Sequence, residues 1–398
     1  MAVRLRELCP QVHGLLSDPI AGRKVLDRPG RWVHMVGNVV IAGFPEGSEI
    51  AFTTGIGLSS QDELLPLVMS IDNAHASGIV INVGPFIHQI PQPVIQYCND
   101  RSLPLFEVPW SVHMAEIMHQ FCLSITMSDQ TSIGLAAAVR NAILSPERED
   151  LYMSFLQHNG FLKDWAYTVA VLCLCQDDGG ESLLDVSLGR IQRSIDNLTA
   201  FRDWRMVTLR MGDELVLVGA QYTDAEVQGM VREVLDASGP MLPEGEDVYV
   251  GIGKKTRSAR CIGKSYLQAM RLARLGRGRR LHEHVQSYVD MGMMKLPLSI
   301  GDEDVLRDFY QGTIAPIALY DNVNGTALVS LLKAYLAANG SVRECADKLF
   351  IHRNTVTYKI RKIEDIVRMD LSDFHSRACL SIGFDAYDIL QFSGKIGH

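Results

Sequence analysis

The sequence predicts an α/β chain that ends in an all-helical module. Strand and helix segments alternate at short spacing through residues 1–125. A second mixed pattern, α+β with a β-pair at its centre, runs over 161–285. The tail, 326–398, carries only helical periodicity.

The first block opens with β-rich, glycine-bounded runs, "WVHMVGNVVIAGF" and "EIAFTTGIG". "DELLPLVMSIDNAHASG" follows as an amphipathic helix closed by Gly78. Then come a strand, "IVINVGPF", a helix through "PQPVIQYCNDRS" and a strand, "LPLFEVP". This order implies a parallel or mixed sheet, whose ligands collect at the carboxyl ends of strands. Residues 126–160 read as a helical linker, interrupted at "SPERED" and stopped at "HNG".

The middle block supplies "AYTVAVLCLC", a helix near 186–201, the pair "MVTLRMGDELVLVGA" and a helix near 224–237. "DVYVGIG" and a helix from about 258 to 275 complete it. Residues 286–325, with Pro297 and Pro316, read as an acidic linker holding short helices.

With 398 residues, 47% hydrophobic and 21% charged, the chain is long enough for two or three domains with sizeable cores. No apolar run approaches the roughly 20 residues that cross a bilayer, and no signal-peptide h-region is present, so no membrane partner is expected. Eight scattered cysteines without a C-x-x-C pair suit reduced thiols and a cytoplasmic location.

Charge singles out the tail. The whole chain carries -8, yet residues 326–398 hold 10 Lys/Arg against 8 Asp/Glu, a net +2. From Lys348 to Lys362 there are five basic side chains and no acid. "TALVSLLKAYLAANG" is an amphipathic helix ending at Gly340. Ser341 and Glu344 form a capping-box pattern for a short second helix. A third helix starts near Arg353, with Val356, Ile360, Ile363 and Val367 as one buried stripe. Packing through that stripe exposes Arg353, Asn354, Thr357, Tyr358 and Arg361, with Thr355 at the edge. Two helices, a three-residue turn and such a face make a helix-turn-helix that reads the major groove of double-stranded DNA. Ser341, Lys359 and Lys362 join the expected DNA-contacting set, with Tyr358 and both lysines nearer the backbone.

"NGSVRECADKLFIHRNTVTYKIRKIEDIVRMDL" closely resembles the C-terminal helix-turn-helix of the PucR/CdaR-type regulators. Matching positions include Asn339, Gly340, Ala346, Leu349, Phe350, Ile351, His352, Arg353, Asn354, Thr355, Tyr358 and Ile363. Cys345 and Lys359 depart from the usual string conservatively. "RPGRWVHM", "EIAFTTGIGL" and "LPLFEVPW" resemble the PucR-type N-terminal domain, which implies an effector-sensing role for 1–125. "RMGDEL" looks like a GGDEF hairpin that has lost one glycine, and "VAVLCLC" offers no metal-binding Asp; Asp177 and Asp178 come only after it. The resemblance therefore implies a degenerate, non-catalytic GGDEF-like middle domain. A nucleotide-sensing or nucleotide-processing protein is the alternative reading.

The expected effector site gathers Trp32, His34, Thr53, Thr54, Gly55, Glu107 and Trp110 at the strand ends of the first domain. The two tryptophans would stack on a planar ligand and Glu107 would accept its N–H groups. A purine or its breakdown product is the ligand that the family's name suggests. "GIGKKT" (251–256) lacks the first P-loop glycine and "HEH" (282–284) lacks metalloprotease spacing. No cofactor, metal or catalytic residue is expected. Residues 254–280 hold ten Lys/Arg and no acid, either a solvated face or an anion-binding patch. One helix-turn-helix reads only a half-site, so a homodimer or higher even oligomer is expected.

Overall fold

The computed structural model describes residues 3–12, 14–23, 25–38, 47–176, 181–243 and 245–393. Part of the first expected strand (39–44) and the pair Asp177 and Asp178 lie outside these residues.

The N-terminal layer begins with β1 (Val3–Arg4), the short helix α1 (Leu5–Leu8) and β2 (Pro29–Gly30), which pairs antiparallel with β1. Then come β3 (Trp32–Met35), β4 (Glu49–Thr53), α2 (Leu64–Asn73), β5 (Gly78–Val83), α3 (Gln92–Asp100) and β6 (Leu105–Pro109). Strands β3-β4-β5-β6 form one all-parallel sheet in chain order. Alternation along each strand feeds two cores. Ala51, Ile79, Ile81 and Leu105 face Leu64, Leu67, Ile71 and Val94 of α2 and α3. Ile50, Phe52, Val80 and Phe106 face the N-terminal segment and the next helix.

That helix, α4 (Met114–Leu144), runs 31 residues without a break. Met114, Ile117, Phe121 and Ile125 enter the N-terminal core, where Phe121 meets Phe52 edge-to-face at 6.0 Å. Leu135, Ala138, Val139, Ala142 and Ile143 enter the middle core. The boundary expected at residue 125 therefore falls inside one helix. Ile125 is the last α4 residue in the N-terminal core, and the helix runs on from there into the middle core.

After α5 (Met153–His158) the middle domain follows: β7 (Tyr167–Gln176), α6 (Glu181–Arg202), β8 (Met206–Met211), β9 (Glu214–Ala220), α7 (Asp224–Ser238), β10 (Glu246–Ile252), α8 (Ile262–Arg279) and β11 (Val285–Ser287). The sheet order is β11-β10-β7-β9-β8, antiparallel except for β10 with β11. Val169, Val171 and Cys173 of β7 face α4 and α8, and Ala170, Leu172 and Leu174 face α6 and α7. Burial on both faces explains the unbroken apolar run that the sequence shows there.

The expected 286–325 linker is a structured part of two cores. It completes β11 and then forms α9 (Lys295–Ser299), α10 (Glu303–Thr313) and α11 (Ala315–Asn324). α12 (Leu328–Ala337), α13 (Val342–Leu349), α14 (Arg353–Val367) and α15 (Phe374–Ser393) complete the chain. Ile314 and Ile317 pack with Leu331, Val356, Ile360, Ile363 and Leu380. Leu298 and Leu306 pack with Leu272 of α8 and with Ala386 and Ile389 of α15. Short polar spans between these helices disguised apolar anchors that only tertiary packing reveals.

The "GIGKKT" glycines have a packing role. A Cβ on Gly251 would overlap the Ala269 carbonyl, and one on Gly253 the Ser265 carbonyl, so α8 lies directly on β10. Gly251→Ala should therefore cost about 1–3 kcal/mol by forcing α8 outward. Thermal unfolding of the full chain checks this, and an unchanged melting profile contradicts it.

Candidate DNA-binding face and interdomain cleft

Helix α13 starts at Ser341, whose Oγ accepts the Glu344 N–H at 3.3 Å. The Ser341 N–H donates to the Ala338 carbonyl at 2.9 Å rather than to Glu344, so half of the expected capping box forms. Phe350 ends α13 in the left-handed region, φ 53°, and stands 96% exposed. His352 caps α14, its Nδ1 accepting the Asn354 N–H at 3.2 Å. α13, this tight turn and α14 together have helix-turn-helix form.

Val356, Ile360 and Ile363 are buried, as the periodicity requires. Arg353, Asn354, Thr355, Thr357, Tyr358 and Arg361 are exposed. Thr357 Oγ1 donates to the Arg353 carbonyl at 3.1 Å, a bond internal to the helix. The two lysines are less exposed than the arginines. Lys362 is half-buried with its Nζ 5.0 Å from the Tyr320 ring centre, a cation–π contact with α11. Lys359 is also half-buried and lies near Asp321. Burial opposes charge on Asp321, yet hydrogen bonds from Thr326, Val329 and Leu328, aided by Lys359, hold its carboxyl below the usual range. Asp321 thereby caps α12, accepting the Leu328 and Val329 N–H groups at 2.8 and 2.9 Å. Sequence spacing missed this cap because it spans seven residues across a turn.

In the basic stretch 254–280, Arg260, Arg271, Arg274 and Arg279 have structural partners, and six of the ten basic residues remain exposed. Arg271 is 1% exposed and its Nη1 donates to the carbonyls of Pro297, Leu298 and Ile300, the last at 2.5 Å. Arg274 Nε pairs with Glu214 at 2.5 Å, Arg279 with Asp388, and Arg260 with Glu149.

Glu214 is the glutamate of the "RMGDEL" hairpin. It is buried, bound by Arg274, and registered opposite Cys173 on β7. Its Oε1 is thus neutralised by a guanidinium, and its cross-strand neighbour is a thiol that burial pushes up in pKa. His284 of the "HEH" run stacks on Tyr249 at 4.8 Å. Among the described residues no His, Cys, Asp or Glu group could hold a metal ion. Burial pushes the thiols of Cys9 and Cys98 up to about 11 and about 12, so both stay protonated at neutral pH.

The seven expected effector residues do not converge. Thr53, Thr54, Gly55 and Trp110 lie at the carboxyl ends of β4 and β6. Thr53 Oγ1 is buried and accepts the Gly55 N–H at 3.2 Å. Gly55 has φ 76°, and a Cβ there would overlap Ile87. Trp110 packs on Phe86 at 5.9 Å and over Gly84. Trp32 lies at the opposite end of the sheet, opposite Glu49 at the start of β4, about 13 Å along the strand from Thr53. The two tryptophans therefore cannot share one ligand. His34 and Glu107 lie within β3 and β6 between these ends, each half-exposed. Parallel-strand register, invisible to local pattern, decides this.

Trp32 instead lines an open cleft of about 960 Å³ between the N-terminal sheet and α6, with Arg31, His75, Arg190, Arg193 and Asn197. Arg31 Nη2 pairs with Asp196 of α6 at 2.6 Å, and Arg4 with Asp203 at 3.1 Å. Burial raises the Asp196 carboxyl above its usual range, against the pull of Arg31 and a Gln192 hydrogen bond. Among the described residues, no helix is long and apolar enough to cross a membrane.

One conformational feature of the helix-turn-helix is separable from binding. Phe350→Gly should stabilise the chain by about 0.5–1 kcal/mol, because glycine adopts φ 53° freely and no packing is lost. A lower melting temperature for this variant would contradict that.

Comparison with known proteins places these modules. Residues 10–125 match the purine catabolism regulatory protein-like family, and residues 328–386 match the PucR C-terminal helix-turn-helix domain. The proline-responsive transcriptional activator PutR of Bacillus subtilis is 29% identical over 134 residues, 33% of each chain. The carbohydrate diacid regulator of Escherichia coli is 24% identical over 254 residues, 59% of this chain and 64% of that one. The purine catabolism regulatory protein of Bacillus subtilis is 32% identical over 68 residues, 17% of this chain and 13% of that one. The matches thus span less than two thirds of each of these relatives. The chain carries a PucR-like N-terminal domain and a PucR C-terminal helix-turn-helix, and its homologues are PucR/CdaR-type regulators.

Proposed function

We propose that this protein is a ligand-responsive transcription regulator of a catabolic pathway. It binds double-stranded DNA through α14, as a homodimer or higher even oligomer in the cytoplasm, and is not an enzyme. One observation carries the reading: Arg353, Asn354, Thr357 and Arg361 stand exposed opposite the buried Val356, Ile360 and Ile363. Arginine suits guanine and asparagine suits adenine in the major groove. The relatives named for proline, carbohydrate diacids and purines support a small metabolite as effector. The Glu214–Arg274 pair counts against a nucleotide-processing middle domain. The middle domain is then a GGDEF-like scaffold that holds the two end modules at a set distance.

Binding of the full chain to promoter fragments by fluorescence anisotropy tests this. Arg353→Ala or Arg361→Ala should cost about 1–3 kcal/mol and relax preference at one base position. Lys362→Ala should barely alter the salt slope, because its ammonium rests on Tyr320. Unchanged affinity in both arginine variants would remove α14 as the recognition helix.

A further inference from the structure

Helix α4 leaves one face bare along most of its length. Leu123, Met127, Ile133 and Leu144 are exposed at 45%, 60%, 69% and 64%. Helical geometry sets them within about a third of the circumference, roughly opposite the residues that enter the two cores. Phe155 of α5, 40% exposed, lies against Gly134. The carbonyl of Leu151, itself 46% exposed, accepts Asn141 Nδ2 at 3.3 Å, so two more apolar side chains border the strip. A surface helix ordinarily carries charge on its solvent side. From Gln120 to Leu144, only Asp129 and Arg140 are charged, and both line the groove toward α6 and β8 along the edge of this face. Residues 126–134, "TMSDQTSIG", are poor helix formers apart from Met127 and Gln130, and none of them is buried. Thr131 Oγ1 and Ser132 Oγ donate back to the Met127 and Ser128 carbonyls at 3.1 and 2.9 Å, which satisfies both hydroxyls within the helix. Helices in proteins persist through packing more than through propensity, and this stretch has no core of its own to pack into.

We propose that a second copy of the chain docks on this face, the two α4 helices packing about a two-fold axis with Phe155 and Leu151 at the rim. A two-fold contact sets each patch against itself, and a patch without charge meets no like-charge repulsion there. The six exposed apolar side chains present roughly 650 Å² per copy; covered on both copies, that is roughly 1,300 Å², within the range of specific interfaces. A partner helix also supplies the packing that residues 126–134 lack within their own chain. This interface rests on the dimer reading above, in which paired half-sites need two joined recognition helices, and it names the surface that joins them.

Analytical ultracentrifugation of the full chain without DNA, from micromolar concentration downward, tests this. The natural chain should sediment as a dimer. Met127→Glu with Ile133→Glu should raise the dimer dissociation constant at least about a hundredfold, because each copy then brings two unpaired charges into the contact. Both side chains are exposed, so the variant should stay folded, with a cooperative thermal transition. The milder pair Met127→Ser with Ile133→Ser should weaken the dimer at least about tenfold through lost apolar burial. Leu319→Glu with Val323→Glu, at similarly exposed apolar positions on α11, should leave the dimer intact. A dimer that survives both α4 pairs, or that the α11 pair dissociates as readily, overturns this face and leaves the dimer reading standing. A natural chain that is monomeric throughout overturns both. Because DNA is absent, none of these outcomes bears on the recognition helix, which the promoter-fragment measurements test by themselves.

Discussion

Helix α4 is buried at both ends in different cores, and the rest of the architecture depends on that. Its first turns complete the N-terminal core through Phe121 and Ile125, and its last turns complete the middle core through Leu135 and Val139. None of its residues from 126 to 134 is buried, so this middle stretch spans the gap as a strut. Burying one large apolar side chain contributes about 1.5–3 kcal/mol, so neither end detaches without losing several such contributions. The two domains are then held at a spacing set by helix rise.

A second rigid connection lies at the other end. α15 inserts Leu380 and Phe384 into the helix-turn-helix core, and Ala386, Ile389 and Leu390 against Leu272 of α8. Arg271 grips three carbonyls at the end of α9, and Arg279 pairs with the buried Asp388. Through the Arg271 Nη1 bonds and the shared apolar core, the segment leading to the DNA-binding module is tied to α8. The cleft and α14 are thus connected through continuous secondary structure: α6 to the middle sheet, the sheet to α8, and α8 to α15. Such contiguity permits coupling but does not by itself demonstrate it.

Much of this was legible in the sequence where the signal is local. The Val356, Ile360 and Ile363 stripe, the Ser341 cap and the turn at Phe350 follow from period and capping chemistry. The hairpin at Gly212 follows from its glycine, which adopts φ 62°. What escaped is non-local. The N-terminal core ends at Ile125, as expected, but that one helix carries the chain on into the middle core is set by partners distant in sequence. The linker expected at 286–325 hid Leu298, Leu306 and Ile317, whose partners lie far away in the chain. Trp32 and Trp110 were grouped because both flank strands, yet parallel register places them at opposite ends of the sheet. In the basic stretch 254–280, Arg260, Arg274 and Arg279 have structural partners that local pattern could not show, because the acids they meet, Glu149, Glu214 and Asp388, are distant in sequence.

Sequence-specific reading of DNA by α14 is tested most directly by genome-wide mapping of bound DNA, comparing the natural chain with the double variant Arg353→Ala and Asn354→Ala. Discrete sites with paired half-sites about one helical turn apart, near catabolic genes, should appear with the natural chain and vanish in the variant. Sites that persist unchanged in the variant, or no enrichment by the natural chain, would contradict it.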